Sequence, residues 1–152
     1  FELEYSGSDN TTHRPVMLHR APFGSLERFA GILIEHFAGA FPLWLAPEQA
    51  RVLTISEKSE EYGKKVEAEL KAAGFRVTGD YRAEKIGAKV AVGSQEKVPY
   101  LLVVGEKDAA HGTPSARNDS TQDQKKRDLG PKPPAEVIAL FKQEIADKRV
   151  RN

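Results

Sequence analysis

Arg28 and His19 are the two side chains of the N-terminal third whose positions apolar packing does not explain. Arg28 follows Gly24-Ser25 by three to four residues, inside what the pattern predicts as the first turn of a helix. The free N–H groups and positive dipole end of such a turn favour an anion, and a guanidinium can take two phosphate oxygens at once. The same spacing also suits a surface arginine paired with Glu27 or Glu4. His19 closes the apolar run Pro15-Val-Met-Leu18, where an imidazole serves either as a hydrogen-bonded structural group or as a metal ligand. His13, His36 and His111 stand at no ligand spacing from it.

The elements that must position these residues can be read from periodicity. Phe1 to Tyr5 alternates apolar and acidic residues, as a half-exposed strand does. Ser6 to Thr12 supplies hairpin-turn chemistry, and Pro15–Leu18 predicts a more buried strand. Ser25 is placed to cap a helix with Glu27 in its acidic first turn. Leu26, Phe29, Leu33 and Phe37 recur at helical spacing, widened by Ala30 and Ile34, and Gly39 stops the run. The apolar, proline-bracketed connector Phe41–Pro47 should pack against something, and a domain boundary is placed near Ala46.

From Arg51 the pattern becomes alternating strands and helices. Val52–Ile55, Phe75–Thr78 and Pro99–Val104 read as strands, the last apolar on both faces and therefore central. Helices are expected from Ser56 or Ser59 to Gly74, over Glu84–Val92, and from Pro134 with Val137, Ile138, Phe141 and Ile145 inward. Thr113–Arg117 suits one further short strand, and 118–133 reads as an exposed loop carrying a Lys125-Lys-Arg127 run. The order implies an α/β fold with a mixed β-sheet flanked by helices.

Composition bounds the function only loosely. The 152 residues are 39% hydrophobic and 30% charged, ordinary for a soluble domain. No apolar run approaches the ~20 residues that span a bilayer, so no membrane partner is expected. The absence of cysteine excludes disulfides and thiolate metal ligands within the chain. Residues 1–76 hold 9 basic and 11 acidic side chains and residues 77–152 hold 14 and 11, a mild basic lean towards the C-terminal half. Phe1 begins the chain without a signal-peptide pattern, and Glu2–Tyr5 looks like the middle of a strand. A piece of a longer protein is expected.

The segment Gly24-Ser-Leu-Glu-Arg28 resembles the glycine-led Glu-Arg core of the third signature motif of class II aminoacyl-tRNA synthetases. Its flanks, His19-Arg-Ala-Pro-Phe23, Gly31-Ile-Leu-Ile-Glu-His36 and Ala38-Gly-Ala-Phe-Pro-Leu-Trp-Leu-Ala-Pro47, resemble the threonyl version. The downstream runs Ala46-Pro-Glu-Gln49, Asp80-Tyr-Arg-Ala-Glu-Lys-Ile-Gly87 and Lys97-Val-Pro-Tyr-Leu-Leu-Val-Val-Gly-Glu-Lys107 resemble the anticodon-binding domain of threonyl, prolyl, histidyl and glycyl members. The resemblance implies residues 1–45 as the strand-helix end of an antiparallel catalytic domain and 46–152 as an anticodon-binding domain. It implies a threonine–tRNA ligase, with threonine, ATP (with Mg2+) and tRNA(Thr) as substrates, acting in the cytoplasm or an organelle. A homodimer formed through the catalytic core is also implied, and no amino-acid activation is expected of these residues alone. A non-catalytic RNA-binding accessory module of the same domain type is the alternative.

By the same resemblance Arg28 binds ATP and stabilises charge during adenylate formation. His19 is one of three ligands of a zinc ion that would hold the amino and hydroxyl groups of threonine. Asp108 and Arg117 stand at the anticodon-contacting positions, where a carboxylate accepts from a base amino group and an arginine pairs with a guanine edge. Arg82, Lys85 and Lys89 are expected to meet tRNA phosphates. The chain departs from the family at Ala83, which replaces the usual asparagine. Lys89-Val-Ala-Val-Gly93 replaces Lys-Ile-Arg-Glu-Ala, placing Ala91 for arginine and a helix-weakening glycine at its end.

Overall fold

The computed structural model describes residues 2–119 and 127–150. The chain divides into two compact units, Phe1–Ile32 and Leu33–Asn152. In the first, strand β1 (Tyr5–Ser6) pairs antiparallel with β2 (Thr12–His13). The turn between them is closed by Asp9, whose carboxylate accepts from the Thr11 N–H (3.1 Å) and hydroxyl (2.9 Å), and Asn10 takes the left-handed φ of 61°. The hairpin is where the turn residues predict it, but its second strand is not the expected one. Pro15–Leu18 is not a strand here, and Val16, Met17 and Leu18 are 87%, 64% and 79% exposed. No strand among the described residues lies beside them, and an apolar strand persists only when paired and covered.

Helix α1 (Leu26–Phe37) starts as its cap residue dictates, with Ser25 Oγ accepting the Arg28 N–H at 3.3 Å. It ends at Ala38 and Gly39, with φ of 48° and 77°, and the boundary between the two units falls inside it. None of its described residues is buried, so the apolar stripe read from its sequence is uncovered here.

The second unit continues with β3 (Ala50–Thr54), α2 (Glu60–Ala72), β4 (Val77–Asp80), α3 (Ile86–Gln95), β5 (Tyr100–Val104), α4 (Glu106–His111), β6 (Ser115–Asn118), β7 (Asp128–Pro131) and α5 (Pro134–Ala146). The sheet order is β4-β3-β5-β6-β7. Strand β3 runs parallel to β4 and β5, while β6 is antiparallel to β5 and β7, which makes the sheet mixed. Strand β5 lies in the middle, as its two apolar faces require. Tyr100, Leu102 and Val104 join Val66 and Leu70 of α2 and Val137 and Phe141 of α5 in the larger core. Leu101 and Val103 point the other way, to a smaller cluster with Val90 of α3. Each fully buried apolar side chain contributes roughly 1.5–3 kcal/mol relative to exposure, so this unit carries most of the stability.

The connector 41–47 packs, as its apolarity requires. Leu43 and Ala46 are buried, Gln49 Nε2 donates to Leu43 O at 2.9 Å, and Arg76 Nε donates to Ala46 O at 2.9 Å. Two elements go beyond the sequence reading. Helix α4 is six residues long and has no apolar stripe to announce it. Strand β7 lies within the expected loop, and its Gly130 and Pro131 argue against a strand everywhere except at a sheet edge, which is where it sits. Residues 120–126 of the expected loop, with Lys125 and Lys126 of its basic run, lie outside the described residues.

Candidate nucleic-acid interface

Two depressions bring the polar side chains of the second unit together. The first, of about 420 Å3, opens at the C-terminal ends of β3 and β4 and is lined by Thr54, Ile55, Tyr81, Arg82, Ala83 and Lys85 among others. The position of the ligand crevice in open α/β sheets is the same, beyond the carboxyl ends of parallel strands. The second, of about 300 Å3, lies on the α3 side of the sheet and is lined by Val103, Ser115, Arg117, Arg127 and Asp128.

Charge in the first depression is largely balanced by internal pairs. Arg82 donates from Nε (3.0 Å) and Nη2 (2.7 Å) to the two oxygens of Asp80, and its Nη1 lies 3.5 Å from Glu84. The Arg82 bond holds the Asp80 carboxyl below the usual carboxylate range although burial opposes it, and Asp80 raises Arg82 in return. Tyr81 is pushed well above the ordinary phenol value, first by burial and then by its bond to Glu67, and stays neutral. Lys85, at the N-terminus of α3, is exposed and makes no ion pair among the described residues.

Lys89 is not where the sequence reading expects it. Its side chain is 1% exposed, and Nζ donates to Thr54 O (2.8 Å) and Asp80 O (3.1 Å). Lys89 is the fourth residue of α3 and lies on the face of the helix turned to the ends of β3 and β4. The ammonium ties the ends of β3 and β4 and cannot reach a phosphate. Gly93, which the sequence presents as a helix weakness, is a close-approach site: a Cβ there would lie 2.7 Å from Leu101 Cδ2.

Asp108 is the third residue of α4 and accepts the Gly105 N–H through Oδ2 at 2.8 Å, closing the N-terminus of that helix. Arg117 stands on β6 opposite Leu101, on the α3 side of the sheet. Its Nε donates to Asp119 Oδ1 at 2.6 Å. No hydrogen bond or ion pair joins Asp108 to Arg117. Asp119 and Asp128 are acidic residues of this face that the sequence reading did not name. The Arg117-Asn-Asp119 spacing, two residues apart in extended chain and so on one face, is the signal that points to the first.

A model of the anticodon binding domain matches residues 49–142. The chain belongs to the anticodon-binding domain family. It is 52% identical over 148 residues to the threonine–tRNA ligase of Syntrophomonas wolfei, covering 97% of this chain and 22% of that protein. The threonine–tRNA ligase of Thermus thermophilus is 51% identical over 150 residues, covering 99% and 22%. Among solved structures, the RNA binding domain of threonyl-tRNA synthetase from Cryptosporidium parvum superposes with a TM-score of 0.75 at 37% identity, over 93% of this chain and 35% of that one. A prolyl-tRNA synthetase from the same organism, at 21% identity and a TM-score of 0.59, shares the fold. The chain spans about a fifth of the length of these curated relatives, and it corresponds to the motif 3 and anticodon-binding region of threonyl-tRNA synthetases.

Within that family framework, the residues upstream of the anticodon-binding domain are open to solvent. Arg28 lies in the first turn of α1, exposed, with its guanidinium unpaired among the described residues. Glu27, its sequence neighbour, instead accepts from Ser25 Oγ at 2.6 Å, which holds its carboxyl below the usual range. His19 is exposed, and among the described residues no three His, Cys, Asp or Glu side chains are grouped to hold a metal ion. One imidazole is a single donor of the four that a zinc site takes, so the described residues do not by themselves hold the metal.

Proposed function

We propose that this chain supplies the motif 3 segment and the anticodon-reading domain of a threonine–tRNA ligase, which activates threonine with ATP and joins it to tRNA(Thr). The observation that carries this is the 52% identity to such a ligase over 97% of the chain, running through both the Arg28 segment and the mixed-sheet domain. Residues 1–45 close the class II catalytic domain, and 46–152 form the anticodon-binding domain. In the longer enzyme Arg28 faces the ATP phosphates, accompanied by Mg2+, and His19 is one donor to a zinc ion that recognises threonine. The enzyme is a homodimer of the cytoplasm.

On the anticodon side, Arg117 offers a guanidinium fork to a guanine edge. Asp108 keeps Oδ1 for a base amino group while Oδ2 holds the Gly105 N–H. Lys85 supplies a phosphate contact. Arg82, balanced by Asp80 and Glu84, contributes shape to the cleft more than net charge. The test is binding of a tRNA(Thr) transcript to the 152-residue chain with Arg117→Ala. A loss of about 1–3 kcal/mol is expected for a bidentate base contact, and an unchanged Kd would refute the role of Arg117.

A further inference from the structure

We propose that Asp119 is a positioning residue that makes Arg117 a reader of bases instead of a clamp for phosphates; this rests on the anticodon-binding reading above. The Asp119 side chain is 3% exposed, whereas that of Arg117 is 36% exposed. Its two oxygens have separate tasks. Oδ1 accepts the Arg117 Nε–H at 2.6 Å, and Oδ2 accepts a short hydrogen bond from Ser94 Oγ near the end of α3. The Asp119 backbone N–H donates to Pro99 O at 2.9 Å, at the entry to β5. The carboxylate is thus held from α3 and from the loop before β5, and cannot swing with the arginine. It fixes the arginine.

The direction of that arginine follows from the sheet. Ala116 faces the larger core, so Arg117 projects from the opposite side, across from Leu101. With Nε occupied, the Nη1 and Nη2 groups are left, without an ion-pair partner among the described residues, over the depression shared with Ser115 and Asp128. Two parallel N–H donors in one plane match the O6 and N7 acceptors of guanine. A mobile arginine would follow the nearest phosphate; the pair with Asp119 cancels most of its net charge and leaves its hydrogen-bond geometry. Asp119 therefore trades sequence-independent attraction for discrimination.

This has a sign that a merely structural residue would not produce. The probes are two transcripts, tRNA(Thr) and the same tRNA with its anticodon replaced, titrated against the chain over a range of salt. With Asp119→Ala the preference for the native anticodon is expected to fall about tenfold. Binding of the replaced transcript is expected to hold or tighten, with a salt slope steeper by about 0.7 as the released arginine meets a single-strand phosphate. Asp119→Asn keeps an acceptor for Nε–H, is expected to fall between, and carries the test if the alanine variant does not fold. An unchanged preference, or parallel weakening of both transcripts at an unchanged slope, would overturn the proposal. A wild-type chain without anticodon preference would remove the anticodon-binding reading itself and the proposal with it. The lock is also read without tRNA: the Arg117 Nε–H NMR signal should exchange slowly in the wild type and rapidly in Asp119→Ala, and fast exchange in the wild type overturns it.

Discussion

Replacing Lys89 with methionine separates two large and opposed effects at the junction of β3, β4 and α3. The ammonium donates to Thr54 O at 2.8 Å and to Asp80 O at 3.1 Å, and lies 4.0 Å from Asp80 Oδ1. Hydrogen bonds to a charged group contribute roughly 1.5–3 kcal/mol each, so loss of two buried ones costs about 3–6 kcal/mol. Methionine fills a similar volume and also removes the desolvation of a buried ammonium, which offsets part of that loss. Asp80 is not orphaned, because Arg82 holds both of its oxygens. Of the two strand-end carbonyls, Asp80 O keeps only the long bond from the Thr54 hydroxyl at 3.4 Å, weaker than the one it loses. The carbonyls should win, for a net destabilisation of about 2–4 kcal/mol and a Tm lower by roughly 10 °C for a unit of this size. Urea unfolding of the 152-residue chain measures it, with the exposed Lys85→Met, four residues earlier at the cap of α3, expected within about 0.5 kcal/mol of wild type. A Lys89→Met variant as stable as the Lys85 control would show that desolvation cancels the bonds, and would refute the claim that Lys89 ties the cleft.

Gly93→Ala should not bring the ~1 kcal/mol that alanine usually gives a helix. With Leu101 Cδ2 at 2.7 Å from the added Cβ, overpacking should cost about 1–3 kcal/mol in the same unfolding assay. Acid should destabilise the second unit in a definite window. Asp80 is held below its ordinary 3.8 by Arg82, and in Glu48 the bonds from Arg51 and Thr78 outweigh the upward push of burial to hold it below 4.5. Depressed carboxyls contribute fully above their unfolded values and lose that contribution as pH falls through the folded ones. Tm should therefore be flat from pH 6 to 8 and fall below about pH 4; a Tm still flat at pH 3 would contradict these pairings.

Much of the second unit was legible because its signals are local. The two-faced apolarity of Tyr100–Val104 placed it at the sheet centre, and the stripe of α5 named residues that cover it. Helix α4 and strand β7 were not legible, since six residues, four polar and two alanine, carry no period and an edge strand tolerates a glycine and a proline. The Pro15–Leu18 run failed for a different reason. Its apolarity was read correctly as a demand for burial, but burial needs a partner, and none of the described residues supplies one. Lys89 and Gly93 show the limit most sharply: a lysine on a helix reads as solvent-exposed and a glycine as a defect until the distance to the next element is known.

The three arginines singled out by sequence end in three different electrostatic situations, and these decide what each can do. Arg82 is held along one edge by a buried carboxylate and faces a second carboxylate with its remaining Nη1. Its charge is spent inside the domain, and its function is to shape the 80–85 turn. Among the described residues Arg28 has only its backbone engaged, by the Ser25 cap. It keeps its full charge and its freedom, which suits an anchor that closes on a phosphate when one arrives but cannot by itself select among ligands. Arg117 lies between, fixed along one edge and open along the other. Only that intermediate case gives both a defined direction and unsatisfied donors, the combination that distinguishes one base edge from another. Identical side chains on one chain thus differ in function through the carboxylate behind each, which is why Asp119, a residue without chemistry of its own towards RNA, is the one whose removal should most change what the domain recognises.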